Sequence, residues 1–181
     1  MSRGKVACSA GFVLAAAVAA ALAVPRATAG SCPMAAVAWV AGNDSGQPVL
    51  WGFHDSPEDD RVTHRALAWN TQVGQSVFGL AYDGRRGQLY VAAHHVPWYG
   101  WYGPGGAGQI YVVDVARATS RPWAAVDAGP DRGAAADASY WYARTGLGDI
   151  DLDETASTLF VANLSDRRIH RLGVPEGAHL G

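Results

Sequence analysis

The amino-acid sequence predicts an all-β fold, and three observations support this prediction. Seven Trp and seven Tyr among 181 residues favour strands, in which aromatic side chains are enriched. Short apolar runs alternate with turns rich in Gly, Asn and Asp, and little helical periodicity is present after residue 29. The third observation is an internal repeat, because SVFGLAYDGRRGQLYVAAH (76–94) aligns without gaps on GLGDIDLDETASTLFVANL (146–164).

This repeat predicts the architecture. A recurring unit of strand, turn and strand cannot bury both of its faces alone and must stack on its neighbours, as in a β-propeller or a related array. We therefore expect a partial β-propeller of four-stranded antiparallel blades over residues 30–181. Recognisable repeats lie at about 34–53, 76–127 and 146–174.

The number of repeats is smaller than a closed propeller needs, since such rings have at least about four blades. The sequence therefore predicts part of a larger propeller, an oligomer that completes its ring, or a product truncated at its C-terminal end, and truncation is the preferred interpretation. Open sheet edges also predict self-association, because unpaired backbone groups can pair with another chain.

The first half of this domain begins with the apolar run 34–40, a turn at 41–47 and a return strand at 48–53. A polar turn follows, and a strand is expected from about Val62 to Trp69. A short helix that starts at Ser56 is the competing interpretation, because Ser before Pro is a fair helix start. The clearest unit follows, with strands at 77–82 and 88–93 around the turn DGRRG.

The second half continues with a long aromatic and glycine-rich loop at 94–108, a strand at 109–115 and an outer strand at 122–127. Residues 134–143 are predicted to form a short helix within a Gly-, Ala- and Asp-rich connection. The last unit has strands at about 148–152, 158–162 and 168–172, which would make a three-stranded partial blade.

Residues 1–29 have the pattern of an export signal. Arg3 and Lys5 form a basic start, an apolar run covers 8–24, and Ala-Thr-Ala at 27–29 has the small-x-small form that signal peptidase accepts. An uncleaved membrane anchor is the alternative, because about 17 apolar residues lie near the lower limit for spanning a bilayer. The pattern predicts a secreted or cell-surface protein with no membrane span after cleavage.

Charge and cysteine content limit the partners and the covalent modifications that can be expected. Three of the 14 basic residues and none of the 16 acidic residues lie in 1–29, which leaves a net charge of −5 on the remainder. This acidic balance argues against nucleic acid as a partner, because phosphates require clustered Lys and Arg. Cys32 is the lone cysteine of the remainder, so we expect no internal disulfide. Lipidation of Cys32 is a weaker alternative.

The most unusual loop supplies the candidate ligand-binding residues Trp98, Tyr99, Trp101 and Tyr102. Aromatic rings separated by glycines could form a flat stacking surface for a glycan or for a proline-rich strand of a protein ligand. The alternative is that these rings pack in the core while Gly and Pro shape the turn.

The candidate metal-binding residues are Asp149, Asp151 and Asp153. Alternate residues of a strand point to the same face, and gathered carboxylates can bind Ca²⁺. The alternative is that Asp149 and Asp151 line a channel or bond backbone and that Asp153 opens a turn. We predict no other cofactor and no catalytic residues, because the sequence has no G-x-S-x-G, no C-x-x-C and no phosphate-binding loop.

The order of four segments carries a family resemblance. The segments are VFGLAYDGRRGQLYVAA, YGPGGAGQIYVVDV, DAG and GLGDIDLDETASTLFVANLSDRRIHRL. Together they resemble the N-terminal propeller region of large secreted bacterial surface proteins that carry B-type domains of serine-aspartate repeat proteins further along. The resemblance implies an extracellular interaction or structural module without established catalytic residues.

The last unit is also similar, more faintly, to single repeats of NHL and gluconolactonase-type propellers. That resemblance implies that Asn163 takes a position where some lactonases place a metal ligand. The leading expectation is therefore a non-enzymatic binding or structural module outside the cell. The alternative is a metal-dependent, lactonase-like hydrolase built round Asp149, Asp151 and Asn163.

Overall fold

The computed structural model describes residues 34–38, 46–54, 64–74, 76–94, 102–129 and 146–181. These residues form eleven strands in three open antiparallel sheets and one four-residue helix, which confirms the all-β prediction. The proposed export signal, Cys32, the competing helix start at Ser56 and the predicted helix at 134–143 lie outside the described residues. The described part of the chain has no helix with the length and apolarity needed to cross a bilayer.

Sheet 1 contains strands β1 (Met34–Ala38), β2 (Pro48–His54) and β3 (His64–Trp69), paired in that order. The helix α1 (Asn70–Val73) follows directly and was not predicted from the sequence. Its Asn70 is buried, and the side-chain oxygen accepts the backbone N–H of Gly46 at 2.9 Å. A buried side-chain acceptor of this kind fixes a short segment that has too few turns to be stable alone.

Sheet 2 is a meander of four strands in sequence order. The strands are β4 (Val77–Asp83), β5 (Gln88–Ala93), β6 (Gln109–Asp114) and β7 (Thr119–Ala125). The strand predicted at 122–127 starts three residues earlier and ends two residues earlier in the structure. Pro122 lies inside it, which is compatible with an edge strand because Pro cannot donate to a ladder.

Sheet 3 also has four strands in sequence order. The strands are β8 (Leu147–Asp153), β9 (Thr158–Asn163), β10 (Arg168–Gly173) and β11 (Ala178–His179). The sequence predicted three strands for this unit, and the structure corrects that number to four. The two residues of β11 carry no periodic pattern, so a strand this short gives no signal in the sequence.

The two hairpins β4–β5 and β8–β9 have the same register. The β4–β5 pairs Leu80–Val91, Ala81–Tyr90 and Tyr82–Leu89 correspond, 70 positions later, to Ile150–Val161, Asp151–Phe160 and Leu152–Leu159. Each hairpin has one irregularity, which lies between Val77 and Leu80 in the first and between Leu147 and Ile150 in the second. The shared sequence pattern therefore corresponds to a shared backbone geometry.

Sheet 2 packs against sheet 3, and the two sheets have different burial patterns. Nearly every residue of β5 and β6 is buried, which shows that the two middle strands of sheet 2 are covered on both faces. Strands β8 and β9 instead place buried residues on one face and exposed ones on the other. Strand β4 lies against β8, and Gly79 allows the close approach, since a Cβ there would lie 2.7 Å from the carbonyl oxygen of Gly148.

Candidate functional site

Of the four candidate ligand-binding residues in the aromatic loop, the structure describes one, Tyr102, and that residue belongs to the core. Trp98, Tyr99 and Trp101 lie outside the described residues. The exposed fraction of Tyr102 is 1%. A ring buried to this extent cannot stack on a ligand from solvent, so Tyr102 corresponds to the core-packing alternative for this loop.

Tyr111 anchors the backbone beside Tyr102. Its hydroxyl is buried, donates to the Tyr102 carbonyl oxygen at 2.6 Å and accepts the N–H of Gly105 at 3.4 Å. Burial raises the pKa of Tyr111 to about 12, partly offset by the bond from Gly105. The end of the aromatic loop is therefore fixed to β6 by a neutral phenol.

The three aspartates of β8 all bond nearby backbone. The side chains of Asp149 and Asp151 are exposed, and each accepts the N–H of the following residue, at 3.0 and 2.9 Å. Asp153 accepts the N–H groups of Thr155 and Ala156 at 2.8 and 2.9 Å, so it opens the β8–β9 turn.

The structure places Asn163 on the other face of sheet 3 from Asp151. Asp151 pairs with Phe160, so these two side chains lie on one face of the sheet. Asn163 lies three residues beyond Phe160 on β9, so its side chain points to the opposite face. Asn163 is 2% exposed, donates to the Asp127 carbonyl at 2.8 Å and accepts the N–H of Ser165 at 2.9 Å. It therefore fixes the segment after β7 against sheet 3.

Metal chemistry would require at least three converging ligands. Among the residues that the structure describes, no group of three His, Cys, Asp or Glu side chains is placed to hold a metal ion. The four candidate metal-binding residues therefore lie in three different settings. Asp149 and Asp151 are exposed on β8, Asp153 bonds the turn, and Asn163 is buried against backbone. Nothing in their described geometry favours a lactonase-like centre.

A groove of about 300 Å³ lies on sheet 2, and no pattern in the sequence indicates it. It is lined by residues of the strands β5, β6 and β7: Gln88, Val112, Asp114, Thr119, Ser120 and Arg121. Gln88 lies more than 20 positions before the other five residues in the chain. Cross-strand pairing brings Gln88, Asp114 and Thr119 into one row, so only the register could have revealed them.

The charges of this groove are partly compensated. Asp114 accepts the backbone N–H of Arg117 at 2.9 Å and forms an ion pair with its guanidinium. These bonds from Arg117 lower the pKa of Asp114 and keep the carboxylate ionised. Ser120 donates its hydroxyl to the Gln72 side-chain oxygen at 2.8 Å. The groove therefore offers polar contacts, and one of its two hydroxyls, that of Ser120, is engaged in a structural bond.

Two aromatic rings adjoin the groove. Tyr90 and Trp123 have ring centroids 4.7 Å apart, and Trp123 donates its indole N–H to the Pro175 carbonyl at 2.6 Å. The Tyr90 hydroxyl bonds the Gln88 side chain at 3.4 Å, and burial is the main cause that raises the pKa of this phenol. Trp123 therefore joins sheet 2 to the connection between β10 and β11 of sheet 3. Tyr90 packs against Trp123 and bonds Gln88 of the groove.

His170 and Asp166 form another close titratable pair, at 2.7 Å. Burial acts to raise the pKa of Asp166, but hydrogen bonds from His170 and from the N–H of Arg168 outweigh it, so the pKa lies below its usual value. The pair spans the β9–β10 turn and stabilises that turn.

No protein-family model matches this chain, and no curated protein matches it. Interpretation of the candidate surfaces therefore depends on the geometry of the chain itself.

Proposed function

We propose that this chain is an exported, propeller-type binding or structural module that acts at the cell surface or outside the cell without catalysing a reaction. The observation that supports this proposal best is the common register of the β4–β5 and β8–β9 hairpins. Stacked sheets with the same register and the same irregularity are what a propeller-like array requires.

The third strands extend this correspondence. β6 pairs with β5 through Leu89–Val113 and Tyr90–Val112, while β10 pairs with β9 through Leu159–Leu172 and Phe160–Arg171. Each three-stranded set continues by a hairpin into a fourth, outer strand. Under the proposal, sheets 2 and 3 are neighbouring blades, and β4 and β8 are their inner strands.

Binding rather than catalysis fits the described side chains. The groups with a shifted pKa make structural contacts: Asp166 stabilises a turn and Tyr111 lies in the core. Asp114 lines the groove, but its pKa is lowered by hydrogen bonds from Arg117 that hold the β6–β7 turn. A general acid or base would instead need a shift that brings its pKa toward neutral pH. The groove on sheet 2 supplies polar contacts without an activated nucleophile among its lining residues.

For the ligand surface, the proposal assigns the aromatic residues Trp98, Tyr99 and Trp101, with a glycan or a protein segment as the ligand. Buried Tyr102 supports this by fixing the end of the loop at the core. The groove lies at the opposite end of β5 and β6 from this loop, so the two surfaces can be tested independently.

The test compares Trp101→Ala with Arg121→Ala on a glycan array and a panel of proline-rich peptides. We expect Trp101→Ala to weaken binding at least about 30-fold, because truncation of an anchoring Trp costs about 2 kcal/mol or more. Arg121→Ala, which changes the groove alone, should leave binding within about twofold. Loss of binding in Arg121→Ala with retention in Trp101→Ala would move the ligand site to the groove.

A further inference from the structure

The outward face of sheet 3 carries a row of side chains with opposite charges at its two sides. Cross-strand pairing places Asp151, Phe160 and Arg171 next to one another on β8, β9 and β10. Phe160 is 36% exposed, and on the same face Ile169 is 67% exposed and Leu180 is 49% exposed. The row therefore reads acidic, aromatic and basic, beside exposed apolar side chains.

The equivalent row of sheet 2 has different chemistry. There the register places Ala81, Tyr90 and Val112 side by side, and their exposed fractions are 6%, 0% and 3%. This face of sheet 2 lies against sheet 3, as the close approach of Gly79 to β8 shows. Sheet 3 thus keeps an aromatic residue in the middle of the row and has Asp and Arg where sheet 2 has apolar residues.

We propose that this face of sheet 3 is the contact surface of a homodimer. A twofold axis parallel to β9 and above Phe160 places the β8 strand of one copy over the β10 strand of the other. Asp151 of each copy then faces Arg171 of the other, and the two Phe160 rings meet at the axis. A twofold contact requires such a self-complementary surface, and this row satisfies the requirement in charge.

Self-complementarity distinguishes a second copy from other occupants. A basic partner would place a positive charge against Arg171, and an acidic partner would place a negative charge against Asp151. The contact is small, because the three overlapping strands β8, β9 and β10, about 4.8 Å apart and about five residues long, give a face of roughly 240 Å². Interfaces of this size are weak, so the dimer is reversible and weakens as salt screens its charges.

The test is sedimentation velocity on the full chain at protein concentrations up to about 1 mM, at low and at high salt. We expect a monomer–dimer equilibrium that shifts toward monomer as salt is added. Asp151→Arg and Arg171→Asp should each weaken the dimer at least about tenfold, because each creates two like-charge contacts. The double variant, in which the two charges exchange strands, should restore dimerisation to within about threefold.

Arg168→Asp is the matched control, since it makes the same change of charge on the same strand. Arg168 lies one residue before Ile169 and three before Arg171, so its side chain lies on the other face of sheet 3. Dimerisation of Arg168→Asp should therefore remain as in the wild type. Circular dichroism and thermal melting verify that each variant is folded. A wild-type chain that stays monomeric overturns the proposal, and so does a dimer in which the double variant fares no better than the single ones.

Discussion

Tyr111 illustrates, at the scale of single residues, how one buried hydroxyl determines the position of a loop. Its phenol connects β6 to Tyr102 and Gly105, and Gly103 lies so close that any Cβ there would meet the hydroxyl. The positive φ of Gly103, 86°, is a second reason for glycine at this position. The sequence shows aromatic residues and glycines together, but it cannot show which ring is buried, because burial depends on contacts with β6.

We expect Tyr111→Phe to lower the free energy of unfolding by about 1–2 kcal/mol, because a buried hydroxyl bond is lost. The folded state holds the pKa of Tyr111 at about 12, above its ordinary value of 10.0. The neutral phenol therefore stabilises the fold fully below pH 10, and this contribution is lost as pH rises toward 12. Urea unfolding between pH 8 and 12 should show a shallower decline for Tyr111→Phe, and an unchanged slope would contradict this assignment.

At the scale of the elements, the sequence predicts strands well where their pattern is long. The predicted range 88–93 coincides with β5, and 77–82 falls one residue short of β4. The elements that were missed, α1 and β11, have four and two residues. Their formation depends on tertiary contacts such as the buried side chain of Asn70, which a periodic pattern cannot reveal.

The β4–β5 and β8–β9 turns each begin with an aspartate, Asp83 and Asp153, and these two side chains differ in burial. Asp83 is 1% exposed, accepts the N–H groups of Arg85 and Arg86 at 3.0 and 3.1 Å, and pairs with the Arg86 guanidinium at 2.6 Å. Asp153 accepts the equivalent backbone N–H groups but is exposed. Removing a hydrogen-bonded group costs more when its partners are buried. The two turns therefore allow a comparison of the same aspartate in a buried and in an exposed position.

We predict that Asp83→Ala lowers the free energy of unfolding by about 2–3 kcal/mol and Asp153→Ala by about 1 kcal/mol. Asp83→Asn keeps an acceptor for the backbone N–H groups and should recover part of the loss. Urea denaturation of the three variants measures these differences. Equal losses in the two alanine variants would mean that burial does not distinguish the turns.

At the scale of the whole molecule, the sequence predicted stacked sheets because segment 76–94 repeats at 146–164, and the two matched hairpins have the same register. It could not predict which faces are covered. The acidic residues of β8 were interpreted as metal ligands, but a ligand set depends on which side chains share a face across strands. Only the register, which separates Asn163 from Asp151 and aligns Asp151 with Phe160, provides that information.

The packing of sheet 2 on sheet 3 is tested most directly at Gly79. A Cβ at this position would lie 2.7 Å from the Gly148 carbonyl oxygen and 2.8 Å from the Ile150 nitrogen, both of them backbone atoms that cannot rotate away. Gly79→Ala must therefore separate β4 from β8, and we expect it to lower the free energy of unfolding by about 2–3 kcal/mol.

Gly84→Ala is the control for this change, because the nearest atom to its Cβ is a Glu154 side-chain oxygen at 3.4 Å. A flexible, ordinary contact of this kind should cost less than about 1 kcal/mol. Hydrogen exchange adds the spatial information, since Gly79→Ala should speed exchange in β4 and β8 more than in β6 and β7. If both variants unfold at the same urea concentration, the two sheets do not pack through Gly79, and the comparison of their faces that underlies the dimer proposal loses its structural basis.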